Sequence, residues 1–257
     1  PTPWLPPAPG GGPAWSGLGH PLAATLASFE YAPSQVAPGP PTPPLPLEEA
    51  PLSWVDTEAG LASLAAALSA APAFAFDLEA HSYRSFAGFT CLVQVSTRQQ
   101  DWVVDALALR ASIGPALGPA FADPATVKVG HGAAGDLAWL QRDFGIAVVN
   151  LFDTGLAARA VGGAAGSGSL ASALSHYCGG VAADKGWQLA DWRARPLPPG
   201  ALAYARADTH YLLYLADRLS LSLAGMEGGG GGVKALAAAL RLPAPLPSRA
   251  GVATAPP

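Results

Sequence analysis

The run Phe74-Ala75-Phe76-Asp77-Leu78-Glu79 constrains this chain more than any other stretch. Phe74 and Phe76, spaced by alanines, read as a strand entering a core, with Asp77 and Glu79 at its end. Side chains two apart in a strand share a face, so these carboxylates stand ~7 Å apart along it. Such a pair repels unless a cation lies between them. A hard divalent ion is the simplest candidate, because Mg²⁺ takes carboxylate oxygens and water. The plainer alternative is a strand that merely ends in solvated acids, and the rest of the chain has to separate the two.

The 257 residues suffice for one sizeable core with tails. No apolar run reaches the ~18 residues of a bilayer span, so no membrane partner is expected. A formal charge of −4 argues against a broad basic surface for duplex binding. It leaves room for an enzyme that holds a single strand in a narrow, metal-containing pocket. Cys91 and Cys178 lie in separate segments without zinc or disulfide spacing and read as free thiols of a reducing compartment.

Three regions follow from composition. Residues 1–50 form a Pro/Gly-rich arm in which Trp4, Trp15, Phe29 and Tyr31 are candidate anchors, residues 51–223 form the folded domain, and residues 224–257 form a Gly/Pro/Ala-rich tail. Within the domain, a strand near Leu52 precedes a helix capped by Asp56 or Thr57 and running to about Ala70. The Asp77 strand, Phe89–Val95 and Asp101–Val104 then suggest an antiparallel meander. A helix from about Ala106 to Phe121, broken by Gly114-Pro115 and Gly118-Pro119, leads to a strand at Thr126–Val129. Gly130-His131-Gly132 permits a tight turn into a helix bearing Asp136, and Ala147-Val148-Val149 is a further strand candidate. Ser169 caps a helix ending near Cys178, the proline-stiffened loop Asp191–Pro199 follows, and one long helix runs from Ala201 to about Leu223. The predicted fold class is α/β, with a mixed sheet of five or six strands covered by helices.

Two further acids join the first pair. Asp136 opens a helix at the sheet edge, and Asp208 lies four residues after Tyr204, so both project from one helical face. If these helices pack on the sheet, Asp77, Glu79, Asp136 and Asp208 converge on one pocket beside the Tyr204 hydroxyl. Four carboxylates in that arrangement suit two divalent ions and in-line displacement at phosphorus.

The set Asp77-x-Glu79, Asp136 and Tyr204-x-x-x-Asp208 resembles the DEDDy 3′→5′ exonucleases, whose fold is ribonuclease H-like. Asp191-Trp192 followed by Arg195-Pro196-Leu197 is similar to ribonuclease D within that superfamily. The longer strings Asp77–Phe86, Lys128–Ala133, Trp139–Gly145, Gln188–Arg193 and Tyr204–Tyr211 resemble the exonuclease subunits of the nuclear RNA exosome. The resemblance covers about Trp54 to Leu219. It implies a metal-dependent exoribonuclease that trims single-stranded RNA from 3′ ends and releases nucleoside 5′-monophosphates. It also implies two Mg²⁺ or Mn²⁺ ions, no small-molecule cofactor, the nuclear exosome core and its cofactors as partners, and a nuclear and nucleolar location. By the same resemblance Asp77, Glu79, Asp136 and Asp208 are the metal ligands, Tyr204 orients water, and His81, Trp139 and Lys185 are RNA contacts. A DNA-trimming exonuclease and an inactive RNA-binding scaffold on the same fold stay open.

Overall fold

The computed structural model describes residues 40–83, 85, 87–163, 166–179 and 186–225. The candidate anchors of the arm, Arg84, Phe86, Lys185 and most of the tail lie outside the described residues.

The chain builds β1 (Leu52–Val55), α1 (Glu58–Ala70), β2 (Ala73–His81), β3 (Phe89–Ser96), β4 (Asp101–Asp105) and α2 (Arg110–Ala122). It continues through β5 (Val127–Gly130), α3 (Ala134–Phe144), β6 (Leu151–Asp153), α4 (Thr154–Val161), α5 (Leu170–Tyr177), α6 (Pro199–His210) and α7 (Leu212–Gly225). The six-stranded sheet has the order β1-β4-β3-β2-β5-β6. β2, β3 and β4 form the expected antiparallel meander, while β1, β5 and β6 add parallel strands at its edges. Thr57 caps α1, its hydroxyl accepting from the Gly60 N–H at 3.2 Å. Among the described residues no helix is long and apolar enough to cross a membrane.

Strand alternation divides the chain's chemistry between the two faces of this sheet. Phe74, Phe76 and Leu78 pack with Val93, Val95 and Val104 under α1, α2 and α3. The intervening Asp77 and Glu79 therefore face the other side, where α6 lies across β2, β3 and β4. α7 packs beside it through Leu212, Leu215, Leu219 and Leu223, against α4 and α5.

Four elements differ from the sequence expectation. β2 does not end at Glu79 but continues to His81, past a bulge at which Glu79 pairs with Leu92, Ala80 pairs with Thr90, and Cys91 is the extra residue. α2 is one unbroken helix despite containing Pro115 and Pro119. Its Gly114 serves close approach, since a Cβ there would lie 2.2 Å from the Phe144 carbonyl oxygen at the end of α3. Ala147-Val148-Val149 is no strand: the Val149 N–H goes to the Phe121 carbonyl, Asn150 turns the chain with φ 59, and pairing resumes at β6. Finally, the expected single helix over 201–223 breaks at Tyr211 into α6 and α7. Apolar spacing runs through the break, but α6 must seat polar residues on the sheet while α7 must seat leucines on α4.

Candidate active site

β2 and α6 bring three acids together. Asp77, Glu79 and Asp208 each offer a carboxylate oxygen, and these atoms all lie within 4.8 Å of one another. Tyr204 sits one turn before Asp208 on the same face, so its hydroxyl reaches that carboxylate. The acids open into a cleft of about 350 Å³ lined also by His131, Leu170, Gln188 and Tyr204.

Asp136 enters from the other side of β2. The chain leaves β5 and turns at Gly132, whose φ of 60 suits glycine, before α3 begins. Asp153 holds this turn: its Oδ1 accepts from the Gly132 N–H at 3.0 Å and its Oδ2 from the Ala133 N–H at 3.0 Å. Oδ1 also accepts from the Gly155 and Leu156 N–H groups, so one carboxylate caps α4 and fixes the approach to α3. Asp136 thereby stands in the first turn of α3. It is outside the group of three, yet its charge acts on both Asp77 and Glu79.

Electrostatics make this cluster costly without a cation. Burial, then the charges of Asp136, Asp208 and Glu79, hold Asp77 well above the usual carboxylate range. Burial, then Asp208 and Asp136, push Glu79 up to about 9. Burial raises Asp208 to about 7, opposed by the hydrogen bond from Tyr204, and burial raises Asp136 to about 7. Tyr204 itself is raised, by burial first and then by Asp208, Glu79 and Asp77. Acids that repel one another in this way are the kind of donor set a divalent cation stabilises.

A pH dependence of known sign follows. A carboxylate raised in the folded state binds protons there that the unfolded chain has released, so stability falls as pH rises. For Glu79 the window runs from 4.5, its ordinary value, to about 9. The metal-free protein should therefore melt at a lower temperature at pH 8 than at pH 5.5, and Mn²⁺ should reverse the loss at pH 8. Melting curves with EDTA or Mn²⁺ check this; a melting temperature that rises with pH in EDTA contradicts it.

The loop before α6 supports the tyrosine. Trp192 is buried with Leu92, Val103 and Ala205, and its ring centroid is 6.0 Å from that of Tyr204. Arg195 grips Asp105 with Nε and Nη2 at 2.5 and 2.7 Å, which pins the loop to the end of β4. His81 is buried at the end of β2, with Nδ1 3.9 Å from an Asp191 carboxylate oxygen and its ring against Phe89. Trp139 is not among the residues lining the cleft: its ring carries the Arg142 guanidinium at 4.0 Å and abuts Gly88.

Some functional residues were not assigned from sequence. His131 lines the cleft, with Nε2 donating to the Gly168 carbonyl at 3.0 Å and Nδ1 2.9 Å from the Thr154 hydroxyl. Its position between two glycines after a strand was the available signal. Arg206, left without a role in the sequence analysis, joins Asp101 and His210 in a buried network under α6. No local signal links residues that far apart in the chain.

This geometry has close counterparts among known proteins. The chain matches the 3′–5′ exonuclease family over residues 52–224. Protein RRP6-like 1 of Arabidopsis thaliana is 50% identical over 204 residues, which cover 79% of this chain and 31% of that protein. Exosome complex component 10 of Homo sapiens is 46% identical over 204 residues, covering 79% of this chain and 23% of that protein. The chain thus spans less than a third of the length of these relatives. The crystal structure of the catalytic core of RRP6 from Trypanosoma brucei is similar at a TM-score of 0.80 and 40% identity, over 89% of this chain and 60% of that one. Escherichia coli RNase D, an exoribonuclease involved in structured RNA processing, is similar at a TM-score of 0.62 and 27% identity, over 74% of this chain and 51% of that one.

Proposed function

The chain belongs to the 3′–5′ exonuclease family, and from that premise we propose that it hydrolyses single-stranded RNA from the 3′ end, releasing nucleoside 5′-monophosphates. The observation that supports this most is the convergence of Asp77, Glu79 and Asp208 within 4.8 Å, with Tyr204 one turn away in an open cleft. The donor set is all carboxylate, which fits hard divalent ions, and its proton affinities are raised by burial and, for Asp77 and Glu79, by the neighbouring acids.

In this reading Asp77, Glu79 and Asp208 would hold one Mg²⁺ or Mn²⁺, and Asp136 would help Asp77 to hold a second. Bound there, such ions lower the proton affinity of water and offset charge on the attacking and leaving oxygens. Water adds to phosphorus, the bond to the preceding 3′ oxygen breaks, and that oxygen takes up a proton. Tyr204 orients the water. Its hydroxyl, raised above an ordinary phenol by burial and by the nearby acids, is no base at neutral pH. Tyr204→Phe should lower the rate of the chemical step by about 10²-fold with Mn²⁺ affinity unchanged; an unchanged rate in single-turnover assays would remove Tyr204 from the mechanism.

His81 at the end of the strand that carries Asp77 and Glu79, and Lys185 before the Asp-Trp loop, are proposed contacts to the terminal nucleotide. Base stacking on Trp139 competes with Arg142 for the ring face. The similarity to exosome component 10 proteins supports a nuclear role in exosome-linked RNA processing, with the exosome core and its cofactors as partners. The test is digestion of a 5′-labelled single-stranded RNA and a matched DNA with Mg²⁺ or Mn²⁺. A ladder shortening from the 3′ end, weaker on DNA, is expected, since the 2′-hydroxyl marks RNA. Preference for DNA would favour the DNA-trimming alternative, and no cleavage by folded, RNA-binding protein the scaffold.

A further inference from the structure

Gln94 is the described residue whose buried polar side-chain atoms lack any hydrogen-bond partner. Both its Nε2 and its Oε1 are unpaired, and the residue is 0% exposed. Leaving such atoms buried and unpaired is costly, so a carboxamide placed there calls for a use.

Its place in the sheet indicates the use. Gln94 lies in β3 directly opposite Asp77 in β2 and Val103 in β4. Residues opposite one another in an antiparallel pair project to the same face with Cβ atoms about 4.5–5.5 Å apart. Gln94 therefore lies beside Asp77 under α6. Its apolar neighbours on that face, Val103 and the preceding alternate residue Leu92, pack against Ala205 and offer no polar atom. The following alternate residue, Ser96, is engaged with the Thr209 hydroxyl at 2.8 Å. The Asp77 carboxylate is the adjacent cross-strand group able to accept from the carboxamide.

We propose that Gln94 is a positioning residue for Asp77, its Nε2 donating to the carboxylate and fixing the direction in which Asp77 presents its oxygens to a divalent ion. This rests on the metal-site reading above. A ligating carboxylate with a second hydrogen bond is pre-aimed, and loss of such a partner typically weakens metal binding about 10–100-fold. The cross-strand register keeps the carboxamide beside Asp77, and its two unpaired atoms leave it free to turn toward that carboxylate.

Gln94→Met keeps the length and removes both polar atoms. Mn²⁺ binding followed by electron paramagnetic resonance should weaken about tenfold. The Mn²⁺ concentration for half-maximal RNA hydrolysis should rise by the same factor, and turnover should recover at saturating Mn²⁺. The metal-free melting temperature should hold or rise, because an unsatisfied polar group has gone. A purely structural carboxamide behaves oppositely: the melting temperature falls and Mn²⁺ affinity stays. That result overturns the proposal, as does equal Mn²⁺ affinity in parent and variant. Should the methionine variant fail to fold, Gln94→Leu carries the same comparison. A parent chain that binds no Mn²⁺ overturns the metal-site reading itself, and the proposal with it.

Discussion

Asp77→Asn abolishes RNA hydrolysis, lowering turnover by about 10³-fold or more, and raises the melting temperature of the metal-free protein. The first effect follows from its proposed role: Asp77 belongs to the group of three carboxylates and is the ligand the proposal gives to both ions. Losing charge stabilisation worth several kcal/mol corresponds to several decades of rate. The second effect has the opposite sign because burial and three neighbouring acids disfavour its charge. Asparagine removes the repulsion with little change of shape. Turnover and melting temperature must therefore move apart; a variant that loses both would show that Asp77 is structural. Asp136→Asn should likewise lose turnover with the fold intact.

Asp101→Ala costs about 3–5 kcal/mol of stability, the range for breaking a buried ion pair. Asp101 is 2% exposed, and its Oδ2 lies 2.7 Å from Arg206 Nε and 2.9 Å from His210 Nδ1. Burial pushes this carboxyl up, but the hydrogen bonds from His210 and Arg206 hold it below its ordinary value. The same two residues bind the segment preceding β1: Arg206 donates to the Ala50 carbonyl, and His210 Nε2 to the Leu45 carbonyl at 2.8 Å. Without Asp101 a guanidinium on α6 stays buried and unpaired on the helix that carries Tyr204 and Asp208. Urea denaturation should show the loss, and turnover at a temperature where the variant is folded should fall as well. A loss under 1 kcal/mol, the range of surface pairs, would mean that the network is not needed to seat α6.

The site was legible in the sequence where chemistry and local geometry coincide. Asp77 and Glu79 show their common face by period two, and Tyr204 and Asp208 theirs by period four, so these positions needed no tertiary information. The β2–β3–β4 meander was legible for the same reason, its strands being joined by short polar links. What escaped depends on partners distant in sequence. Asp101 and Arg206 are separated by 105 residues, and neither stretch signals the other. Gln94 reads as one polar residue in an apolar strand, and its meaning appears only when β2 pairs beside it. The valines at 148 and 149 satisfied strand propensity yet packed as buried coil, because Asn150 turns the chain before pairing resumes. The break at Tyr211 was hidden by leucine spacing that continues across it.

The most direct measurement is a Mn²⁺ titration of the 257-residue chain in the presence of a nucleoside 5′-monophosphate, followed by electron paramagnetic resonance. Two ions per chain, spin-coupled as ions about 4 Å apart are in two-metal sites, and lost in Asp77→Asn, are expected. Absence of binding by the folded parent chain, or equal binding by Asp77→Asn, would contradict the assignment of these acids as a metal centre.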